Sequence, residues 1–354
     1  MVEMTYREAV RQALREEMLR DETVFIMGED VGRYGGSYAV TKGLLEEFGE
    51  ERVRDTPISE AAILGAGVGA AMGGMRPVAE IMTINFIMPG IDMVVNHAAK
   101  IRHMFGGQMK VPLVIRTVGG GRRLAATHSQ NLEVMFAHLP GLVVVAPGTP
   151  KDAKGLLKSA IRSDDPVLFI EHALLYGTKG PVPEGEYLIP LGRSERKREG
   201  NDITIVTYSR MLPLSMRAAE QLSRQGIEAD IIDLRTLRPL DMEPVLESVR
   251  RTNHVLIVTE DWRSYGIGAE LAARIQEEAF DYLDAPIGRV AQLEVPMPYA
   301  DNLERLAFPD VVDILQGVAE VLNRPVEGAA ARPFRGAYVT LNDARRAVAA
   351  AARN

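Results

Sequence analysis

One glutamate stands at the head of a stretch of small and apolar residues. Glu60 is the only charged residue in Thr56–Met75, TPISEAAILGAGVGAAMGGM. The dipole of a helix favours a carboxylate near its N-terminus, so Glu60 has a structural interpretation as a capping residue. In the functional interpretation, Glu60 is a carboxylate in apolar surroundings that hydrogen-bonds a nitrogen atom of a ligand.

A histidine in a glycine-rich loop is the second candidate for chemistry. His128 lies in the segment 119–130, GGGRRLAATHSQ, directly after a predicted buried strand. Loops at strand ends carry much of the chemistry of α/β proteins, and imidazole exchanges protons near neutral pH. We therefore expect His128 either to act as an acid or base or to shape the loop. The six histidines show no spacing typical of a metal site.

The glycines of the same stretch permit two interpretations. Gly65, Gly67 and Gly69 resemble a dinucleotide-binding loop, but Pro57 argues against a ladder strand directly before them. Gly65, Gly69 and Gly73 also recur every four residues, which on a helix makes a flat ridge for another helix. Each glycine costs a helix roughly 1 kcal/mol relative to alanine, so close helix packing is the favoured interpretation.

The composition excludes several classes of protein. The chain has 354 residues, a net charge of −7 and no cysteine, so disulfide frameworks and thiolate metal sites are excluded. Without a long basic run, a nucleic-acid partner is not expected. The longest apolar run, Ala61–Met75, is shorter than the roughly 20 residues of a membrane-spanning helix. With no apolar core in its N-terminal segment to indicate a secretory signal, we expect a cytoplasmic protein without a membrane partner.

Buried strands alternate with helices along most of the chain, which predicts parallel sheets covered on both faces. The pattern predicts an α/β domain at 1–180, a proline- and glycine-rich linker at 181–200, a second α/β domain at 201–325 and a tail at 326–354. Within it we predict a capping box from Thr5 to Glu8. The predicted strands are 23–27, 111–116, 142–146, 167–170, 203–208, 229–234 and 255–259. The predicted helices are 41–48, 89–105, 150–162, 211–224 and 267–280, with a further helix or disorder from 341 onward.

Several segments together resemble the beta subunit of the thiamine diphosphate-dependent 2-oxo acid dehydrogenase component. This is the decarboxylase of the pyruvate, branched-chain 2-oxo acid and acetoin dehydrogenase complexes. The resemblance extends from about residue 4 to about residue 325. The segments that carry it are Asp55–Glu60, Glu80–Phe86, Thr127–Gln130, Pro140–Pro147, Asp152–Arg162 and Asp233–Asp241.

The resemblance implies a fold and a role for each candidate residue. The fold is a thiamine-enzyme pyrimidine-binding α/β domain followed by a transketolase C-terminal-like α/β domain. Glu60 matches the glutamate that hydrogen-bonds N1′ of the cofactor's aminopyrimidine and promotes its imino form. Phe86 matches the aromatic residue against that ring, and Ile58 and Met82 match residues that line the same pocket. His128 matches the histidine that contributes to proton transfer near the substrate or the lipoyl group.

The resemblance also implies partners. The family holds the diphosphate and Mg²⁺ through a GDG-containing motif on an alpha subunit, and this chain contains no GDG. We therefore expect an α2β2 heterotetramer with thiamine diphosphate at each α/β interface, and a lipoyl acyltransferase core that accepts the acyl group. Some members bind K⁺ through backbone carbonyl groups. The matching positions are Leu113, Ala160, Ile161, Ser163 and Asp165, with Ser163 where an aspartate is common.

Three functions remain open from the sequence. The leading one is the enzyme subunit, with pyruvate favoured over a branched-chain 2-oxo acid or acetoin because the segment 111–124 is closer to bacterial pyruvate and acetoin types. The second is a single-chain transketolase-like enzyme, against which the missing diphosphate motif argues. The third is a non-catalytic α/β scaffold whose helix glycines serve oligomerisation.

Overall fold

A computed structural model describes residues 1–121 and 124–330 of the chain. Its strands, in chain order, are β1 (Val2–Thr5), β2 (Val24–Gly28), β3 (Val53–Asp55), β4 (Arg76–Ile81), β5 (Val114–Gly119), β6 (Val143–Val145), β7 (Val167–His172), β8 (Lys179–Val182), β9 (Glu195–Arg198), β10 (Ile203–Thr207), β11 (Ala229–Asp233), β12 (Thr236–Arg238), β13 (Val255–Trp262) and β14 (Gly288–Gln292).

The α-helices, in chain order, are α1 (Tyr6–Arg20), α2 (Leu44–Phe48), α3 (Glu60–Met72), α4 (Ile101–Met104), α5 (Glu133–Ala137), α6 (Pro150–Arg162), α7 (Met211–Ser223), α8 (Glu243–Thr252), α9 (Ile267–Ala279), α10 (Asp301–Ala307) and α11 (Val311–Val321). None of the helices in the described part of the chain has the length and apolar character needed to cross a membrane.

The chain forms two compact units that alternate along the sequence. The first comprises 1–119, 135–192 and 236–239, and the second comprises 120–134, 193–235 and the residues from 240 onward. The segment predicted as a linker, 181–200, carries the end of β8 and the whole of β9. The predicted helix or disorder after residue 341 lies outside the described residues.

The first unit contains a seven-stranded sheet of order β12-β6-β7-β5-β4-β2-β3. All its strand pairs are parallel except β12 with β6. Helices α1 and α6 cover one face through a core that includes Leu14, Met18, Leu157 and Phe169. Helix α1 begins as predicted, because the Thr5 side chain accepts from the Glu8 amide and the Glu8 carboxylate accepts from the Thr5 amide. A parallel sheet with helices packed on it is the predicted fold of this half.

The second unit contains a five-stranded sheet of order β14-β13-β10-β11-β9. The strands are parallel except β9, which pairs antiparallel with β11. Helices α7 and α11 pack on a core that includes Ile205, Leu222, Ile231 and Ile314. This is the second predicted parallel α/β domain.

One predicted helix is wrong. The segment 89–105 is a 3₁₀ turn that ends at Gly90, a π-helical segment (Met93–Ala98) and the short α4. A Cβ atom at Gly90 would lie 2.7 Å from Leu64 Cδ1 and 3.0 Å from the Glu60 carbonyl oxygen, so the backbone at Gly90 lies directly against α3. The requirement for this close approach, together with Pro89, replaces a continuous helix by three short pieces.

Candidate active site

Three adjacent strands bring the predicted residues of the first unit to one edge of its sheet. Strands β3, β2 and β4 are neighbours and run parallel, so their carboxyl ends lie side by side. Glu60 and Ile58 follow β3, and Met82 and Phe86 follow β4. The loop after β2 is held to the same edge by Asp55, which accepts from the Gly32 amide at 2.6 Å. Ligands of open parallel sheets bind at this kind of edge.

Glu60 is the first residue of α3, and its side chain is half-buried. Within residues 1–121 and 124–330, its carboxylate makes no hydrogen bond or ion pair with another residue. The N-cap residue Ser59 also makes no side-chain capping bond, so the first turn of α3 keeps unsatisfied amide groups. A half-buried carboxylate without a protein partner fits the functional interpretation better than a capping role.

Glu29, which directly follows β2, was not a candidate from the sequence. Burial raises the pKa of its carboxyl group, and the nearby charges of Glu60 and Asp30 raise this pKa further. The electrostatic influence of Glu60 indicates that the two carboxyl groups lie near each other at the ends of β2 and β3. The sequence signal that could have identified Glu29 is an acidic residue placed immediately after a fully buried strand.

The apolar candidates at this edge differ in their exposure to water. Ile58 is 82% exposed, whereas Met82 and Phe86 are half-buried. An exposed isoleucine is costly in water, because covering such a side chain is worth about 1.5–3 kcal/mol. The edge therefore combines an unpaired carboxylate with uncovered apolar and aromatic surface, which suits a heteroaromatic ring with a hydrogen-bonding nitrogen. On this observation, the residues fit the aminopyrimidine of thiamine diphosphate.

The predicted glycine ridge of α3 is divided between two environments. A Cβ at Gly65 would lie 3.3 Å from Met93 Sδ, so Gly65 packs within the chain. A Cβ at Gly69 would meet no atom within 4 Å, and Gly73 is the C-cap of the helix. Only the Gly69 side of α3 is open. The exposed residues there are small and uncharged: Ala61, Ala62, Ala66 and Gly69.

A buried ion network lies within the first sheet, near the same ends of its strands. Arg116 donates to both oxygens of Glu171 and to Glu80, and the Tyr176 hydroxyl donates to Glu171 at 2.7 Å. Burial raises the pKa of Glu80, while the Arg116 charge opposes this increase. The network links β4, β5 and β7. The network thereby holds β4 in place, and Met82 directly follows the end of β4 at Ile81.

His128 belongs to the second unit, whereas Glu60, Ile58, Met82 and Phe86 belong to the first. His128 is half-buried, and its Nδ1 lies 2.8 Å from the Thr127 hydroxyl oxygen. Its neighbour Ser129 is buried, and the Ser129 hydroxyl has no hydrogen-bond partner within the described ranges. The loop that carries His128 thus places one buried hydroxyl without a described partner directly after the histidine.

The five positions that match a potassium site have carbonyl groups with other partners. Arg76 Nη1 donates to the Ile161 oxygen at 3.1 Å and to the Ser163 oxygen at 2.9 Å. The Ala160 oxygen accepts from the Ser163 amide, the Asp165 oxygen from the Ser163 hydroxyl, and the Leu113 oxygen from the Val167 amide. The Arg76 guanidinium thus contacts two of the five carbonyl groups, and its positive charge opposes a second cation beside them. These residues do not fit K⁺.

Carboxylate and histidine side chains do not assemble into a metal site in the described part of the chain. No group of three or more His, Cys, Asp or Glu residues there is arranged to hold a metal ion. We therefore assign no metal ligand to the residues at 1–121 and 124–330.

Comparison with known proteins covers nearly the whole described chain. Residues 2–179 match the transketolase pyrimidine-binding domain, and residues 192–314 match the transketolase C-terminal domain. The chain is 49% identical over 321 residues to the pyruvate dehydrogenase E1 component subunit beta of Rickettsia felis, a match that covers 90% of this chain and 98% of the relative. It is also 49% identical over 319 residues to a mitochondrial subunit beta-1 of the same component from Arabidopsis thaliana, covering 89% and 88% of the two chains.

The fold is also that of a solved relative. The chain is similar, with a TM-score of 0.75 and 22% identity, to a split gene transketolase described as an inactive beta4 tetramer. This likeness covers 90% of this chain and 99% of the other and shows the transketolase-like fold. The extent and identity of the sequence matches show more: the chain belongs to the family of pyruvate dehydrogenase E1 beta subunits, which are thiamine-dependent enzymes.

Proposed function

We propose that this chain is the beta subunit of a 2-oxo acid dehydrogenase component and that the assembled component decarboxylates pyruvate and transfers the acyl group to a lipoyl group. The names of the relatives support pyruvate over a branched-chain 2-oxo acid or acetoin. The observation in the structure that carries the proposal is the unpaired, half-buried carboxylate of Glu60 beside Glu29 at an open sheet edge.

The residues of this chain would prepare and orient the cofactor. When bound, thiamine diphosphate supplies the nucleophilic carbon that attacks the 2-oxo acid and accepts the electrons left when carbon dioxide departs. Glu60 would hold a proton at the pyrimidine N1′, and the apolar surroundings, once covered by the ring, would strengthen that hydrogen bond by excluding water. Phe86, Met82 and Ile58 would pack on the pyrimidine ring. Covering Ile58 in this way removes an exposed apolar surface from water.

His128 would act at a later step. An imidazole can hold a proton at neutral pH and deliver it to an oxygen or sulfur atom of a reacting group. We propose that His128 does so for the bound 2-oxo acid or for the lipoyl group that accepts the acyl product. Its place in the loop that follows β5, with its Nδ1 2.8 Å from the Thr127 hydroxyl oxygen, supports this role.

An alpha subunit would supply the rest of the active site. We propose an α2β2 heterotetramer in which the alpha chain holds the diphosphate and Mg²⁺. The relatives are each named a beta subunit, and the uncharged open side of α3 with Ile58 offers an apolar surface for a partner chain. A lipoyl acyltransferase core as acceptor and a cytoplasmic location complete the proposal. Potassium is not part of it, since Arg76 places its charge against two of the matching carbonyl groups.

The proposal is tested by reconstitution with an alpha chain, thiamine diphosphate, Mg²⁺ and a lipoyl domain. Carbon dioxide release is measured from pyruvate and from 3-methyl-2-oxobutanoate, and acetaldehyde formation is measured from acetoin. We expect pyruvate to give the highest kcat/KM. A tenfold preference for either competitor would overturn the substrate, and the absence of turnover with all three would overturn the function.

A further inference from the structure

The loop that carries His128 is fastened to the second unit by two buried side chains that follow it. Asn131 Nδ2 donates to the Glu260 carbonyl oxygen at 2.9 Å. Glu133, the first residue of α5, accepts from the Tyr208 hydroxyl at 2.9 Å. Glu133 is 4% exposed, so this second attachment lies inside the unit. His128 precedes these anchors by only three and five residues.

Glu133 is buried among other acids rather than beside a cation. Asp261, at the end region of β13, is 2% exposed, and one of its oxygens, Oδ2, accepts from the Ile267 amide at 2.8 Å. Glu133 Oε2 and Asp261 Oδ1 both lack a hydrogen-bond partner among the described residues. Of the neighbouring cations, Arg210 pairs with Glu260 Oε2 at 3.0 Å, and Arg289 acts electrostatically on Asp261.

A buried carboxyl group in these surroundings holds its proton. Burial raises the pKa of Glu133 to about 8, and the charges of Asp261 and Glu260 add to this increase. Burial raises the pKa of Asp261 only to about 6, because hydrogen bonds from Thr259 and the Ile267 backbone favour its charged form. Burial also raises the pKa of Tyr208, which keeps its hydroxyl protonated as the donor to Glu133. At neutral pH the cluster therefore has a neutral Glu133 beside an ionised Asp261.

We propose that Glu133 is a positioning residue that fastens the His128 loop to the second unit through Tyr208, and that ionisation of Glu133 beside Asp261 loosens this attachment. Among the described residues, Arg210 pairs with Glu260 and Arg289 acts on Asp261, while none forms an ion pair with Glu133. A second buried negative charge at Glu133 would therefore be uncompensated, and such a charge is strongly destabilising. Moving the start of α5 toward water relieves this repulsion. Residues 124–132 precede α5 directly, so His128 moves with it.

Because ionisation of Glu133 loosens the loop, we expect the rate of acyl transfer to fall at alkaline pH. We expect no such fall in the affinity for the cofactor. This part of the inference depends on the function proposed for His128. The attachment itself does not, because it is a property of the folded chain.

Hydrogen exchange on the full chain tests the attachment without any activity measurement. Amide exchange in 124–137 is compared between wild type and Glu133→Gln at pH 6.5 and again at pH 9. Glutamine keeps the acceptor for Tyr208 but cannot ionise, so we expect equal protection at pH 6.5 and at least fivefold slower exchange in the variant at pH 9. Tyr208→Phe removes the donor and should speed exchange at both pH values. Equal exchange in all three proteins at pH 9 would overturn the attachment.

Steady-state kinetics on the reconstituted component test whether ionisation of Glu133 slows acyl transfer. In wild type, kcat for lipoyl acylation should fall severalfold between pH 7.5 and 9 with an apparent pKa near 8, and Glu133→Gln should remove this fall. The control is Glu270→Gln, an exposed residue of α9, whose profile should match wild type. A fall that persists in Glu133→Gln would overturn the link to His128. Normal exchange results with no acylation in any protein would instead overturn the proposed function.

Discussion

Arg76 Nη1 donates to the carbonyl oxygen of Ser163 at 2.9 Å, and Arg76 Nη2 donates to Asp164 at 2.9 Å. A side chain from the start of β4 thus supplies a fixed positive charge to the turn that follows α6. In the sequence, the same turn matches a site that some family members fill with K⁺. The chain carries its own cation at this turn.

The first prediction follows from Arg76. The melting temperature should be the same in KCl and in NaCl at equal ionic strength, because the guanidinium and not a bound metal ion satisfies the carbonyl groups. Arg76→Met should lower the free energy of unfolding by about 2 kcal/mol through lost charged hydrogen bonds. The control is Arg54→Met, because Arg54 is exposed and its side chain hydrogen-bonds only to Glu51 among the described residues. This variant should change the free energy of unfolding by less than about 0.5 kcal/mol. A melting temperature that rises specifically with KCl would contradict this prediction.

The second prediction concerns Glu60. Glu60→Gln should reduce carbon dioxide release from pyruvate by about a thousandfold or more, since an amide cannot exchange a proton with the pyrimidine. Circular dichroism and melting temperature should be unchanged, because Glu60 makes no hydrogen bond within the described chain. Glu46→Gln is the matched control, since Glu46 is exposed in the first turn of α2. Turnover within tenfold of wild type would exclude Glu60 from the role proposed here.

The third prediction concerns association. The isolated chain should be folded and inactive toward pyruvate. Gly69→Leu should leave its melting temperature unchanged, because a Cβ at Gly69 meets nothing within 4 Å. The same variant should weaken binding of the alpha chain at least tenfold by holding the partner away from α3. Gly177→Leu, at another open glycine, serves as control. Sedimentation velocity measures association with the alpha chain for both variants. Full assembly of the Gly69 variant would show that α3 faces solvent in the complex.

The fourth prediction is the pH dependence of stability that comes from Glu133. The unfolded chain releases this proton near its ordinary pKa of 4.5, whereas the folded chain holds it to about pH 8. The folded state binds more protons between these values, so the stabilisation from Glu133 is complete below 4.5 and declines as the pH rises. The melting temperature of Glu133→Gln relative to wild type should therefore rise from about pH 5 to about pH 8 and then level off. A constant difference across this range would disprove the buried, protonated state.

The fifth prediction separates two roles of His128. His128→Ala should leave thiamine diphosphate affinity unchanged in the reconstituted component and reduce lipoyl acylation by about a hundredfold, the usual size of a general acid or base effect. Calorimetry of cofactor binding and acylation rates are measured on the same variant. Equal losses in affinity, carbon dioxide release and acylation would show that His128 only shapes its loop.

Local signals in the sequence predicted some elements closely. Helix α6 begins at Pro150 and ends at Arg162 as predicted, because Thr149 caps it, Pro150 fits the first turn and Arg162 favours the last. The segment 89–105 has apolar residues at helical spacing, yet its shape depends on how closely Gly90 approaches α3. Spacing along one segment contains no information about such a contact.

From the sequence, the residues of the candidate site could be predicted only where they lie in a recognisable motif. Glu60 and His128 were candidates from their local context, and the family resemblance added roles for both. Glu133 looks like any acidic residue at a helix start, and its partner Tyr208 is 75 positions away. The structural role of Arg116 likewise depends on Glu80 and Glu171, which lie on the two neighbouring strands. Long-range pairing of buried charges is a property of the fold and leaves no periodic pattern in the chain.

The late position of β12 in the sequence affects strand pairing during synthesis and after proteolytic cleavage. The first sheet receives its last strand from 236–238, after β9, β10 and β11 of the other sheet have already been synthesised. During synthesis, one edge of β6 therefore stays unpaired until the 90 residues between β6 and β12 have been added. A fragment that stops at residue 192 would keep that edge bare permanently, and unpaired edges recruit other strands. Cleavage after residue 192 would therefore yield a fragment prone to aggregation and not an independently stable domain.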